Sequence, residues 1–394
     1  MNRRFAETVA DHASEASLVW LQDYHFGFAP AMIRDSVPTS TTIGQFWHVP
    51  WPQPTVFHHC PHGVELLDGL LGNDLLGFHV DRYVENFFDC VDRYLPEAEI
   101  HRENGSVRFG GSTTRVISTP MGVDADEHDS ESRTVDGSSI DALRDTYDVP
   151  SDVALGVGVD RLDYTKGIPE RLAAIERLFE QSPAWRGSFT YVQKATPSRT
   201  DIDAYTELGE CVRYEVDRIN DRFATSTWRP IVYTEDFLPR EDLHALYRLA
   251  DLLIVSPLFD GMNLVAQEYV ASKVDGTGAL LLSEHAGAHE TLGDAAYTID
   301  PHRPDLIAAT IDSVLSTPPE VRRRRMSTLR ERVFDMNLEW WMSRQFDAFE
   351  EVDEAKSGRD PRMGSHHPAG GDEPWDHDGD ASRVRYGYTG SLER

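Results

Sequence analysis

Lysine is scarce in this sequence. Only four occur in 394 residues (Lys166, Lys194, Lys273 and Lys356), although lysine and arginine together number 38. Aspartate and glutamate number 67, leaving a formal net charge of −29. Such a chain has no basic stripe to offer a phosphate backbone, which disfavours non-specific binding to nucleic acids and to anionic membranes. An acidic surface that keeps arginine and sheds lysine points to a salt-rich cytoplasm, where self-repulsion is screened within ~3 Å at molar ionic strength. Cysteine is also scarce. Cys60, Cys90 and Cys211 are far apart and odd in number, which argues against a disulfide framework and for a reducing compartment. No apolar run approaches the roughly 20 residues of a membrane-spanning helix. The opening residues, Met1 to Glu7, enter helical periodicity at once and show no signal-peptide core, so the expected location is cytoplasmic. Also absent are the glycine-rich dinucleotide and P-loop patterns and the nucleophile elbow of the hydrolases.

What is present is strand–helix alternation. Short continuous apolar runs fall at 18–21, 42–47, 75–78, 115–119, 155–159, 189–192, 231–233, 252–255 and 279–282. Continuous rather than alternating runs mark strands covered on both faces. Amphipathic segments lie between them: Ile168, Leu172, Ile175 and Phe179 share one helical face, with Pro169 in the first turn. The expectation is an α/β chain with parallel, doubly wound sheets in two domains, 1–123 and 152–335. The acidic, serine-rich stretch 124–151 reads as a surface linker, 336–352 as a C-terminal helix, and 353–394 as a disordered tail. The first domain offers only four strands, and its first strand already carries chemistry, so it reads as incomplete.

Three clusters place polar residues where a strand ends, which is where open α/β sheets bind ligands. In the first, Val19-Trp20-Leu21-Gln22-Asp23-Tyr24-His25 and Phe46-Trp47-His48-Val49-Pro50 put Asp23 and His48 at neighbouring strand ends. In the second, Arg161 and Lys166 bracket a turn that opens a helix. Two cations and free helix amides are a ready-made diphosphate site. The third runs from a strand through Asp260, Gly261, Met262, Asn263 and Leu264 to Glu268. There Asp260 could accept from sugar hydroxyls, the amides of Met262 to Leu264 could face phosphate oxygens, and Glu268 could hold a ribose. Arg199 follows another strand end. His58-His59-Cys60 with His62, and Asp124 with Asp126, resemble metal sets; adjacent ligands cannot converge on one ion, and the acidic pair reads as solvated charge. His366 and His367 are at most adventitious ligands.

In this order the clusters resemble the trehalose-6-phosphate synthases. The resemblance rests on the Asp-Tyr-His and Phe-Trp-His-Val-Pro-Trp-Pro turns, Asp160 to Arg171, Pro197 to Arg199, Asp260 to Tyr269 and Ser283 to Ala288, and it spans about Asn2 to Phe349. It implies a GT-B fold, two Rossmann-like domains facing a cleft, with a C-terminal helix crossing back. It implies a retaining glycosyltransferase that moves glucose from UDP-glucose, or another nucleoside-diphosphate glucose, to glucose 6-phosphate, with no metal required and no protein nucleophile. Arg161 and Lys166 would neutralise the donor diphosphate, Asp260 to Leu264 would hold glucose and phosphates, and Glu268 the ribose. Asp23, His48 and Arg199 would line the acceptor side. Such synthases carry about a hundred further residues ahead of the point matching Asn2, which suggests a truncated chain, or a homo-oligomer or second polypeptide that completes it. The alternatives are a sugar-nucleotide-binding subunit without turnover, or a synthase using another acceptor such as glycerol 3-phosphate. Phe259 stands where the family commonly has arginine, and Gln267 where lysine is frequent.

Overall fold

The structure, a computed structural model, describes residues 1–14 and 17–358. Two six-stranded sheets carry the fold. The first contains β1 (Leu18–Gln22), β2 (Thr42–Phe46), β3 (Leu75–Phe78), β4 (Glu99–His101), β5 (Ser106–Phe109) and β6 (Ser112–Ser118), in the order β1-β2-β3-β6-β5-β4. Its first four members in that order pair in parallel, and β5 and β4 close the edge as an antiparallel extension. The second contains β7 (Ala154–Arg161), β8 (Phe189–Thr196), β9 (Ile231–Thr234), β10 (Leu252–Val255), β11 (Ala279–Ser283) and β12 (Tyr297–Ile299). It is wholly parallel, in the order β12-β11-β10-β7-β8-β9.

That second order fixes where a ligand can go. Strand order reverses between β7 and β10, so the chain leaves these neighbours toward opposite faces and a crevice opens at their carboxyl ends. The residues after β7 are Leu162 to Gly167, and those after β10 are Ser256 to Asn263. Both clusters read from the sequence therefore border one crevice.

All nine expected strands form. The three that periodicity missed, β4, β5 and β12, are three or four residues long and partly exposed, so they leave no continuous apolar run. The segment expected as a linker is instead two helices, Ala125–Thr134 and Gly137–Tyr147. Asp124 and Asp136 cap them by accepting from the Glu127 and Ser139 amides. Ala125, Leu143, Tyr147 and Val149 join the core of the second sheet, and buried Ser132 donates to the Ser272 carbonyl. Few apolar residues suffice here because they recur at helical spacing. Asp124, expected as idle charge, is thus a cap.

The last described helix, Leu338–Ser357, returns to the first sheet. Trp341 packs on Trp20 and Phe46, Gln345 on Thr119, and Phe349 on Trp20. It runs past the expected end at residue 352, because Asp353 accepts from Thr42 and Lys356 binds Asp74 and the Thr41 carbonyl. The tail expectation beyond residue 358 falls outside the described residues.

The helix Ile168–Gln181 brings Arg171 wholly inside the second sheet. Its guanidinium donates to Asp160 (2.7 Å), Ser256 (2.9 Å), Gln193 (3.0 Å), the Tyr191 hydroxyl (3.1 Å) and the Lys166 carbonyl (3.3 Å). Removing one partner of a buried, hydrogen-bonded pair costs about 3–5 kcal/mol. Arg171→Met is expected to lower the urea midpoint by an equivalent amount at unchanged slope, and an unchanged midpoint would show that the network adds no stability.

Candidate active site

After β7, Asp163 turns the chain by accepting from the Thr165 amide and hydroxyl, and Gly167 follows at φ +63. A side chain there would also meet the Ser256 carbonyl at 2.1 Å, so only glycine allows this loop to lie against the one after β10. Lys166 reaches across to Asp260 at 2.6 Å, and Asn263 donates to the same carboxylate oxygen at 3.0 Å. Arg161 is exposed at the strand end, and its guanidinium makes no hydrogen bond or ion pair among the described residues. It does not pair with Asp163, whose second oxygen accepts from the Tyr205 hydroxyl.

Asn263 caps the helix Leu264–Ser272 from a left-handed conformation, φ +81, by accepting from the Ala266 amide. The amides of Met262, Asn263 and Leu264 donate to no acceptor among the described residues. Three free amides at a helix N-terminus, beside Arg161 and Lys166, are groups chemically suited to an anion. Glu268 lies one turn on. Burial pushes its carboxyl above the usual range, opposed by the Tyr247 hydroxyl, which donates at 3.1 Å, and by Arg240.

The first sheet closes the other side. A side chain at Gly261 would meet the His48 carbonyl at 1.9 Å, so the turn after β10 and the end of β2 are in direct backbone contact. Tyr83 donates to the Asp260 carbonyl at 2.9 Å, and Arg199 to the Tyr24 hydroxyl at 3.1 Å. Asp23 sits at φ +67 with its carbonyl accepting from Gln45, while its Oδ1 is buried without a partner among the described residues. His48 Nε2 lies 2.8 Å from Gln22. Burial lowers the His48 imidazole below its ordinary value, against the charge of Asp23. Burial and His48 together push His79 down to about 3, and the two rings lie 5.2 Å apart.

Asp23, His48, Arg161, Lys166, Arg199 and Asp260 to Leu264 all lie at or just past strand ends, and Glu268 lies one helical turn deeper, whereas Asp124 is a helix cap away from them. Sequence reasoning missed His79, Tyr83, Tyr205 and Arg240. The first of these was findable, since His79 directly follows β3 just as Asp23 follows β1. The others sit within helices, and nothing in their local pattern marks them. Phe259 stacks on His285 (centroids 5.8 Å), and Gln267 is buried, donating to the Met121 carbonyl.

Residues 1–351 match the family model for glycosyltransferase family 20. The chain belongs to that family. It is 39% identical over 357 residues to the trehalose-6-phosphate synthase of Mycobacterium sp. (strain KMS), covering 88% of this chain and 72% of the relative. A UDP-forming alpha,alpha-trehalose-phosphate synthase from Burkholderia xenovorans, solved in complex with glucose-6-phosphate, matches with a TM-score of 0.83 at 32% identity, over 89% of this chain and 76% of that one. The E. coli protein bound with UDP-2-fluoro glucose matches with a TM-score of 0.83 at 30% identity, over 88% and 76%. This family 20 glycosyltransferase therefore has the GT-B fold, with its crevice between two Rossmann-like sheets. No helix among the described residues is long and apolar enough to cross a membrane.

The histidines generate a pH prediction. An imidazole whose folded pKa is depressed leaves the unfolded state to bind protons first, so stability is held above about pH 6.5 and falls on acidification. His79 keeps that loss going from pH 6.5 down to about 3, at about 1.4 kcal/mol per pH unit. Urea titrations at pH 6.5 and pH 5.5 are expected to show a smaller loss for His79→Gln than for the parent. Equal losses would show that His79 is not held neutral.

Proposed function

We propose that this chain transfers glucose from UDP-glucose to glucose 6-phosphate with retention of configuration, giving trehalose 6-phosphate. The observation that carries the reading is the convergence of Arg161, Lys166 and the free amides of Met262 to Leu264 on one crevice at the switch point of the second sheet. That set suits a diphosphate, and the family relatives supply the sugar-nucleotide class.

In this reading Arg161 and Lys166 touch the diphosphate, and Asp260 and the amides beside it hold the glucose and its phosphates. The Glu268 carboxylate takes the ribose hydroxyls. Asp23, whose buried Oδ1 has no partner among the described residues, and His48 hold the sugars at the reacting carbon, while Arg199 binds the acceptor phosphate. The bond from the glucosyl carbon to the β-phosphate oxygen breaks as the acceptor hydroxyl bonds to the same face. The acceptor proton passes to the departing phosphate oxygen, so no protein base is called for. What the chain supplies is placement of two sugars and a fixed positive field for the leaving charge. That field comes from side chains and amides, so the reading calls for no divalent metal. Three free cysteines and two cytosolic-type phosphosugar substrates fit a cytoplasmic enzyme.

The test is UDP release from UDP-glucose in molar potassium chloride, with and without glucose 6-phosphate. Release that depends on glucose 6-phosphate is expected, and Arg161→Ala should lower kcat/KM by about 10²–10³-fold. Tight UDP binding without release would replace this reading with a binding subunit, and release with glycerol 3-phosphate alone would change the acceptor. Arg199→Ala should raise KM for glucose 6-phosphate at least about tenfold while sparing the weak reaction with glucose itself. An equal fall with both acceptors would make Arg199 a purely structural link between Tyr24 and Tyr205.

A further inference from the structure

We propose that His285, Asp300 and His302 form a binding site for one divalent transition-metal ion of the zinc class, beside the crevice; the proposal does not rest on the sugar-transfer reading. The site is built by sheet register. β11 and β12 run parallel with Ser283 opposite Ile299, so the residues just past each strand emerge side by side. His285 lies two residues beyond β11, and Asp300 and His302 one and three beyond β12. One ligand atom from each of the three lies within 4.8 Å of the others.

The arrangement is held without an ion. Asp300 accepts from the His302 amide through Oδ1 at 2.9 Å, and its carbonyl accepts from the Arg303 amide at 3.0 Å. Pro301 and Pro304 stiffen the same turn. The His285 amide donates to Ser283 Oγ at 3.1 Å, and the His285 ring lies between Phe259 (5.8 Å, 29°) and His302 (5.7 Å, 60°). Among the described residues neither imidazole hydrogen-bonds a protein group, so both rings are free to ligate. Two imidazole nitrogens and one carboxylate oxygen suit zinc and its neighbours, with a fourth position left to water. Magnesium and calcium want more oxygens than this set provides. Metal bonds of about 2.0–2.1 Å need ligand atoms about 3.3 Å apart, a contraction within reach of side-chain rotation at exposed His302. The net charge of −29 favours any cation. The sequence reading missed the set because its members belong to two strand ends and share no short motif.

The backbone links this site to the crevice. The His285 carbonyl accepts from the Asp260 amide at 3.3 Å, and the Gly287 amide donates to the Asp260 carbonyl at 3.1 Å. An ion on His285 would therefore brace the Asp260 turn.

Equilibrium dialysis of the full, metal-free chain against zinc, with cobalt as the spectroscopic probe, tests the site. The parent is expected to hold one zinc tightly at micromolar free metal and to show the intense visible bands of four-coordinate cobalt. His302→Ala, at an exposed position, and Asp300→Asn, which keeps the turn's acceptor, should each weaken zinc binding about a hundredfold or more and abolish those bands. Unchanged UDP affinity in both variants would show that they fold. Zinc bound equally by parent and variants would put the ion elsewhere and would overturn the proposal. So would a parent that holds none.

Discussion

One buried guanidinium sets the geometry on which the crevice depends. Arg171 is fully enclosed, and its donors tie β7 through Asp160, β8 through Tyr191 and Gln193, the end of β10 through Ser256, and the turn after β7 through the Lys166 carbonyl. An enclosed charge is tolerated only when its donors are satisfied, so the network admits one arrangement of these strand ends. The consequence is local: the Lys166 ammonium and the Ser256 loop are fixed relative to each other, and the Lys166–Asp260 pair closes the gap between them. Gly167 and Gly261 are two of the places where backbone meets backbone, one within the second sheet's crevice and one across to His48.

The near-absence of lysine acquires a meaning once the four survivors are located. Lys166 pairs with Asp260, Lys194 donates to Thr196, and Lys356 holds Asp74 and the Thr41 carbonyl. Lys273 lies buried with its ammonium on the Arg248 and Ala250 carbonyls, where burial pulls it down to about 8. Each is a compact donor on a flexible stem, with its ammonium on a protein oxygen. Many surface arginines pair with carboxylates, as Arg218 and Arg222 do with Glu176. Such surface pairs contribute little individually and less at high salt, so the acidic exterior bears on solubility rather than on the fold.

Much of this was legible in the sequence, for a physical reason. Strands buried on both faces leave unbroken apolar runs, and chemistry at their carboxyl ends shows as an abrupt switch to polar residues. Asp23, His48, Arg161 and Asp260 were all visible that way. Short edge strands such as β12 leave no such mark. Nor did the two helices after Asp124, where a sparse apolar spacing of Leu143 and Tyr147 was outweighed by acidic composition. Contacts across the crevice, such as Tyr83 to Asp260, depend on the relative placement of two sheets, which no local pattern encodes.

The central claim is that Arg161, Lys166 and the Met262 to Leu264 amides form a site for the second phosphate of a nucleoside diphosphate. Calorimetric titration of UDP and UMP into the parent and into Arg161→Ala, in molar potassium chloride, addresses it directly. The account predicts that the parent binds UDP at least about tenfold tighter than UMP, a gap of about 1.4 kcal/mol, and that the gap collapses in the variant. Equal affinities for the two nucleotides in the parent, or a gap that survives in Arg161→Ala, would contradict it.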